Sequence, residues 1–112
     1  MKLRGKIWFE EEAGHLFGRG RAELLEAIER EGSIQGAARR MGLSYRHAWT
    51  MLKTSEERWG RKLVCTTRGG RSGGGSRLTE AGRVLLSAFR RVEAQMEEFL
   101  ARQSREVEDL GS

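Results

Sequence analysis

Proline is missing from this sequence, and cysteine occurs once, as Cys65. Without proline most helix breakers are gone, so a helix can run as far as its apolar periodicity and its cap allow. A single cysteine excludes an intramolecular disulfide and fits a reducing compartment. No apolar run is long enough to span a bilayer, and Met1-Lys2-Leu3-Arg4-Gly5 lacks the apolar core of a signal peptide. A soluble, cytoplasmic protein is therefore expected. Acidic side chains are outnumbered, 16 against 21 basic ones, which leaves a formal charge of +5. That surplus favours polyanionic partners, nucleic acid before an anionic membrane. Hydrophobic residues make up only 38% of the chain. The content is low for a 112-residue single domain, so a homodimer interface is expected to complete the burial.

Glycine, by contrast, is plentiful at 15 residues and concentrated in a few places, where it separates the elements. The segment 3–18, with Ile7, Trp8 and Phe9 before a polar turn and Leu16 and Phe17 after it, reads as an N-terminal β-hairpin. Gly18-Arg19-Gly20 breaks it. From Arg21 to Glu31 the residues Leu24, Leu25 and Ile28 share one helical face, ended by Gly32. Ser33 is a good cap for a helix over Ile34 to Met41, and Ser44 for one over about Tyr45 to Trp59. Leu63 to Thr67 reads as a strand. Thr79 caps a long helix predicted to reach about Gln103, with a polar, frayed end beyond it. Its apolar positions Ala81, Leu85, Ala88, Val92, Met96 and Phe99 step by three and four, close to a heptad seam, and are assigned to the dimer interface.

The span 33–59 carries the functional signal. Two short helices that cross steeply need a small residue at their closest approach, which Ala38 supplies. They also need an unusual backbone conformation in the turn, which Gly42 supplies. Leu43 plugs the turn, and Ala48, Met51 and Leu52 form the buried stripe of the second helix. The same spacing leaves Arg46, Trp49, Thr50 and Lys53 pointing outward, and in a helix-turn-helix that face enters the major groove. Arg46 suits a guanine edge, Thr50 a thymine methyl and Lys53 a phosphate. Ser33, Gln35, Ser44, Tyr45 and His47 complete the DNA-binding set on these two helices. The segment 63–78 adds a wing, with Arg68, Arg71, Ser72, Gly73 and Arg77 placed to meet phosphate or the minor groove, where local potential favours arginine. The bland alternative for 33–59 is an ordinary helical hairpin with a solvated basic face; for the wing it is a floppy hairpin with no partner, which leaves those arginines unexplained.

Other patterns carry no chemistry. The glycine-rich loop is not a P-loop, because Gly69 and Gly74 are followed by Gly75 where lysine is required. Gly18-Arg19-Gly20 lacks the third glycine of a dinucleotide fingerprint. His15, His47 and Cys65 are scattered without metal-ligand spacing, and Glu10 to Glu12 read as a solvated turn. No nucleophile lies beside a credible base, so neither an enzyme nor a cofactor is expected. The fold class is mostly α with small β: a winged helix-turn-helix with an N-terminal hairpin and a long C-terminal dimerisation helix.

With these motifs in place, the chain resembles the N-terminal DNA-binding domain of the ModE-type molybdate-responsive regulators over about residues 3 to 100. The resemblance rests on Gly20-Arg21-x-x-Leu24-Leu25-x-x-Ile28, Gly32-Ser33-Ile34, Ala37-Ala38 and the run Met41 to Trp49. It continues through Leu63-Val64, the glycines 69–75 and Arg77-Leu78-Thr79-Glu80-x-Gly82. LysR-type domains share the Gly-Ser-Ile start and the Leu-Thr-Glu-x-Gly end. The resemblance implies a winged-helix dimer on a palindromic operator, the helix at Tyr45 to Lys53 reading bases, and the long helix and hairpin building the dimer. The oxyanion-binding modules of that family have no counterpart in these residues. A stand-alone regulator, a partner of a separate sensor or an excised domain is expected, with no tight molybdate binding. Competing readings are a low-specificity architectural DNA-binding protein and a protein-interaction module. The affinity ratio between an operator and random DNA separates the first, and failure to bind any duplex marks the second.

Overall fold

The computed structural model describes residues 1–67 and 75–111. In chain order the elements are β1 (Phe9–Glu11), β2 (Gly14–Phe17), α1 (Arg19–Glu31), α2 (Ile34–Met41), α3 (Tyr45–Trp59), β3 (Val64–Thr67), β4 (Gly75–Leu78) and α4 (Glu80–Leu110). Two antiparallel ribbons, β1–β2 and β3–β4, flank the helices. The core forms where α1 delivers Leu24, Leu25 and Ile28, the stripe expected from its periodicity. Ala37 and Ala38 of α2, Ala48 and Leu52 of α3, Leu63, and Leu85 and Phe89 of α4 close around them. Phe89 is the centre of an aromatic cluster, packing edge-on to Phe9 and Phe17 at centroid separations of 5.7 and 5.6 Å. Burying a phenylalanine in this way contributes roughly 1.5–3 kcal/mol from area alone.

The caps sit where the hydroxyl residues announce them. Ser33 accepts from the Gly36 N–H at 2.9 Å, Ser44 from the His47 N–H at 3.0 Å and Thr79 from the Gly82 N–H at 3.0 Å. The start of α4 is locked further to the strand entry: the Thr79 N–H donates to the Leu63 carbonyl at 2.9 Å, and its hydroxyl donates to the Lys62 carbonyl. Gly82 makes that approach possible, since a Cβ there would lie 2.3 Å from the Leu63 oxygen.

The N-terminal hairpin is shorter than expected. Strand pairing covers only Phe9 to Phe17, and residues 1–8 form no strand. They run beside the outer part of α4, antiparallel to it, with the Leu3 N–H donating to Ser104 Oγ at 2.8 Å and Gly5 set against Leu100. The hairpin ends before Gly18 as expected, and Gly18 is the N-cap of α1, which begins at Arg19, ahead of the expected Arg21. At the other end α4 does not fray at Ser104 but continues to Leu110. Its 31 residues span about 46 Å, which accounts for much of the 64 Å long dimension. The same arm that vacated the hairpin covers part of that extra length.

The six positions assigned to the dimer interface share a face of α4 but not one environment. Leu85 is buried in the chain's own core. Met96 is half-buried beside Ile7 and Trp8 of the arm. Ala81, Ala88 and Val92 are partly exposed, and Phe99 is exposed, as is Val84. At about 100° per residue these positions lie within roughly 80° of one another, so what differs along the stripe is which neighbours each position meets. No helix among the described residues is long and apolar enough to cross a membrane.

Candidate nucleic-acid interface

The α2–α3 pair is built for close approach. Ala37 and Ala38 are buried at the crossing, and Gly42 takes the left-handed conformation (φ 71°) that turns the chain. The turn is closed by the Gly42 N–H on the Arg39 carbonyl at 3.2 Å and the Leu43 N–H on the Ala38 carbonyl at 2.9 Å. On α3, Ala48 and Leu52 face the core, and Ser55 donates to the Leu16 carbonyl of β2. Arg58 donates to the neighbouring His15 carbonyl, while Arg21 reaches from α1 to the Met51 carbonyl at 3.2 Å. Those contacts hold the inner side of α3 along most of its length. Its outer side is left free: Tyr45, Arg46, His47, Trp49 and Thr50 are all exposed, Tyr45 by 52% and Trp49 by 44%. Large aromatics are rarely left so open on a lone globular surface, and here they stand beside a guanidinium. Gln35 is exposed on α2, and Ser33 and Ser44 spend their hydroxyl oxygens on capping.

The wing is anchored at its base. Val64 faces Leu78, Cys65 faces Arg77, Thr66 faces Ser76 and Thr67 faces Gly75. Strand β4 is strapped to the α1–α2 corner by the Ser76 N–H on the Gly32 carbonyl at 2.7 Å, and by the Leu78 N–H on Glu29 Oε2 at 3.4 Å. Arg77 is exposed on this ribbon. Arg68, Arg71, Ser72 and Gly73 lie outside the described residues.

Lys53, expected at a phosphate, is engaged within the chain: its ammonium sits 3.1 Å from Glu56 Oε1 and 5.7 Å from the centre of the Trp49 ring. Glu56 is buried, and its other oxygen accepts from the Leu63 and Val64 N–H groups at 2.8 and 3.2 Å. Nothing in the sequence marks Glu56, because Ser55-Glu56-Glu57-Arg58 reads as an ordinary polar stretch. Three donors converging on one carboxylate compensate its burial, which an unpaired charge would not survive.

A second ionic cluster, which no local motif in the sequence marks, lies where α4 leaves the core. Glu93 receives Arg19 at 2.8 Å and Arg90 at 2.7 Å, and Arg90 also binds Glu26. The Arg19 hydrogen bond foremost, with Arg90 behind it, lowers the Glu93 pKa. Burial, then the charges of Arg21 and Arg58, lowers that of His15, whose ring stacks on Trp8.

Comparison with known proteins agrees with this geometry. The family described as bacterial regulatory helix-turn-helix protein, lysR family, matches residues 20–83. The chain is similar to the molybdenum-pterin-binding protein MopA of Rhodobacter capsulatus, 49% identical over 72 residues, covering 64% of this chain and 27% of the relative. It is also similar to the molybdenum transport protein ModE of Azotobacter vinelandii, 38% identical over 109 residues, covering 97% of this chain and 40% of the relative. The chain thus spans well under half the length of these relatives. Among solved structures, the full-length LTTR LysG from Corynebacterium glutamicum aligns with a TM-score of 0.57 and 30% identity, over 78% of this chain and 28% of that one. The CbnR_DBD–DNA complex aligns with the same TM-score at 24% identity, over 79% of this chain and 94% of that one, and shares the fold. The expected ModE-type resemblance and winged helix-turn-helix class therefore hold, and the chain belongs to the bacterial regulatory helix-turn-helix proteins of the lysR family.

Proposed function

We propose that the chain is a sequence-specific, DNA-binding transcriptional regulator that acts in the cytoplasm as a homodimer on a palindromic operator, without a catalytic role. The observation that carries this is the free face of α3: a basic and aromatic surface on a helix whose inner side is tied down from three directions. Such a helix enters the major groove with little ordering cost, and Arg46 at its first turn is placed for a guanine edge. The wing base, strapped to the α1–α2 corner, leaves Arg77 exposed for phosphate or minor groove. The outward row Val84, Ala88, Val92 and Phe99 of α4 supplies the apolar contact for a second copy. A two-fold pair sets two α3 helices about 34 Å, or a multiple, apart.

Selection of bound sequences from a random duplex pool tests the proposal. A palindromic consensus is expected, bound about 10³-fold or more tighter than random DNA, with affinity falling steeply as salt rises. Equal affinity for all duplexes instead supports the architectural reading, and no binding at low salt overturns the DNA assignment.

A further inference from the structure

Lys53 and Glu56 form a link between two parts of the proposed interface that the sequence keeps apart. Lys53 follows Trp49 by four residues on α3, and its ammonium lies over the indole, 5.7 Å from the ring centre. One turn further on, Glu56 is 93% buried, with one carboxylate oxygen on Lys53 and the other on the two N–H groups where the chain enters β3. A continuous path of contacts thus runs from the exposed Trp49 ring, through a cation and a buried anion, to the first strand of the wing. The next contact closes the loop: the Leu63 carbonyl receives the Thr79 N–H that starts α4.

We propose that Glu56 is a positioning residue that fixes the wing against the recognition helix, and that Lys53 serves as its counter-charge and as a prop for Trp49, not as a phosphate contact. This rests on the DNA-reading function proposed above. The physical argument is one of charge economy. The burial of a carboxylate with this little exposure is offset only by the donors around it, here two backbone N–H groups and the Lys53 ammonium. If Lys53 swung to a DNA phosphate, it would leave that charge buried with fewer donors. The half-buried ammonium is therefore better satisfied where it stands, and its attraction to the indole face adds to this preference.

The test is operator affinity across a salt series for Lys53→Met, Glu56→Gln and the double variant. Amide hydrogen exchange at Leu63 and Val64 is measured on the same proteins without DNA. Methionine keeps the apolar stem; glutamine keeps an acceptor for the two N–H groups while removing the charge. Lys53→Met alone is expected to lose operator affinity by on the order of tenfold, to keep the salt slope of the unmodified protein, and to exchange faster at Leu63 and Val64. Adding Glu56→Gln is expected to recover most of both losses, because no buried charge is then left uncompensated. A salt slope shallower by about 1 in Lys53→Met, with no recovery in the double variant, makes Lys53 a phosphate contact and overturns the proposal. Unchanged exchange at Leu63 and Val64 in Lys53→Met also overturns it. Failure of the unmodified protein to bind any duplex overturns the DNA reading itself, whichever way the exchange result falls.

Discussion

Helices α3 and α4 both carry an apolar stripe stepping by three and four, yet the chain treats the two stripes differently. On α3 a single row, Ala48 and Leu52 with Ser55, turns inward and is fully buried, and everything opposite is polar or aromatic surface. On α4 there are two rows. Leu85 and Phe89 point into the core with Glu93 beyond them, while Val84, Ala88, Val92 and Phe99 are left partly or largely open. A helix surrounded by its own chain needs one stripe; a helix that also meets something else needs two. The comparison separates the surface offered to a polyanion from the surface offered to another apolar face.

Truncation within the two α4 rows breaks this comparison most forcefully. Phe89→Ala empties the centre of the aromatic cluster and should cost about 3–5 kcal/mol of folding stability at any protein concentration, measured by urea denaturation. Phe99→Ala, ten residues along the same helix, should leave the stability of the single chain within about 0.5 kcal/mol while weakening self-association in sedimentation. Equal costs for the two would show that the rows are not distinct.

Next in size is Gly82→Ala. Alanine gains roughly 1 kcal/mol of helix propensity over glycine, but here its Cβ would press on the Leu63 carbonyl at 2.3 Å, and a backbone oxygen hydrogen-bonded to Thr79 yields little. A net loss of about 1–3 kcal/mol is expected, again from urea unfolding. A neutral or stabilising result would mean that the joint between wing and α4 is looser than its hydrogen bonds indicate.

Val92→Glu sharpens the contrast with α3. Because Val92 belongs to the outward row, the substitution should keep the single chain folded by circular dichroism but give monomers that bind the operator weakly. Its counterpart Arg46→Ala should leave the dimer intact, cost about 1–3 kcal/mol of binding and relax the preference at one base pair per half-site. The smallest effect is that of pH on the Glu93 cluster. Arg19 first, and Arg90, hold the folded carboxyl below its ordinary value of 4.5, so ionised Glu93 adds stability above that value and loses it as pH falls through the lower folded pKa. Glu93→Gln should flatten this part of the acid limb of the urea midpoint; an unchanged limb would remove Glu93 from the balance.

Much of the fold was legible because its signals are local. Ser33, Ser44 and Thr79 announce helix starts, since a hydroxyl can satisfy an otherwise unpaired N–H within three residues. Gly32, Gly42 and Gly60 announce helix ends. Leu24, Leu25 and Ile28 show the buried side of α1 through spacing alone. The exposure of Arg46, Trp49 and Thr50 followed from the same periodicity once Ala48 and Leu52 were placed inside. Leu85 was misassigned because periodicity states which residues share a face, and not what that face meets. The N-terminal hairpin was overextended for a related reason: Ile7 and Trp8 have the character of strand residues, but they spend it packing as an arm at α4 instead of pairing.

What the sequence determined by itself is thus the set of elements, their caps and the helix-turn-helix geometry, all of which depend on residues within about one turn of each other. The tertiary structure alone decided the fate of the charges. Glu56 and Glu57 are adjacent and chemically identical, yet one is buried against β3 and bound to Lys53 while the other is exposed. Arg19 meets Glu93 across 74 residues of chain. The energy of a charge depends on its dielectric surroundings and on the donors around it, and both are assembled only when distant segments pack together.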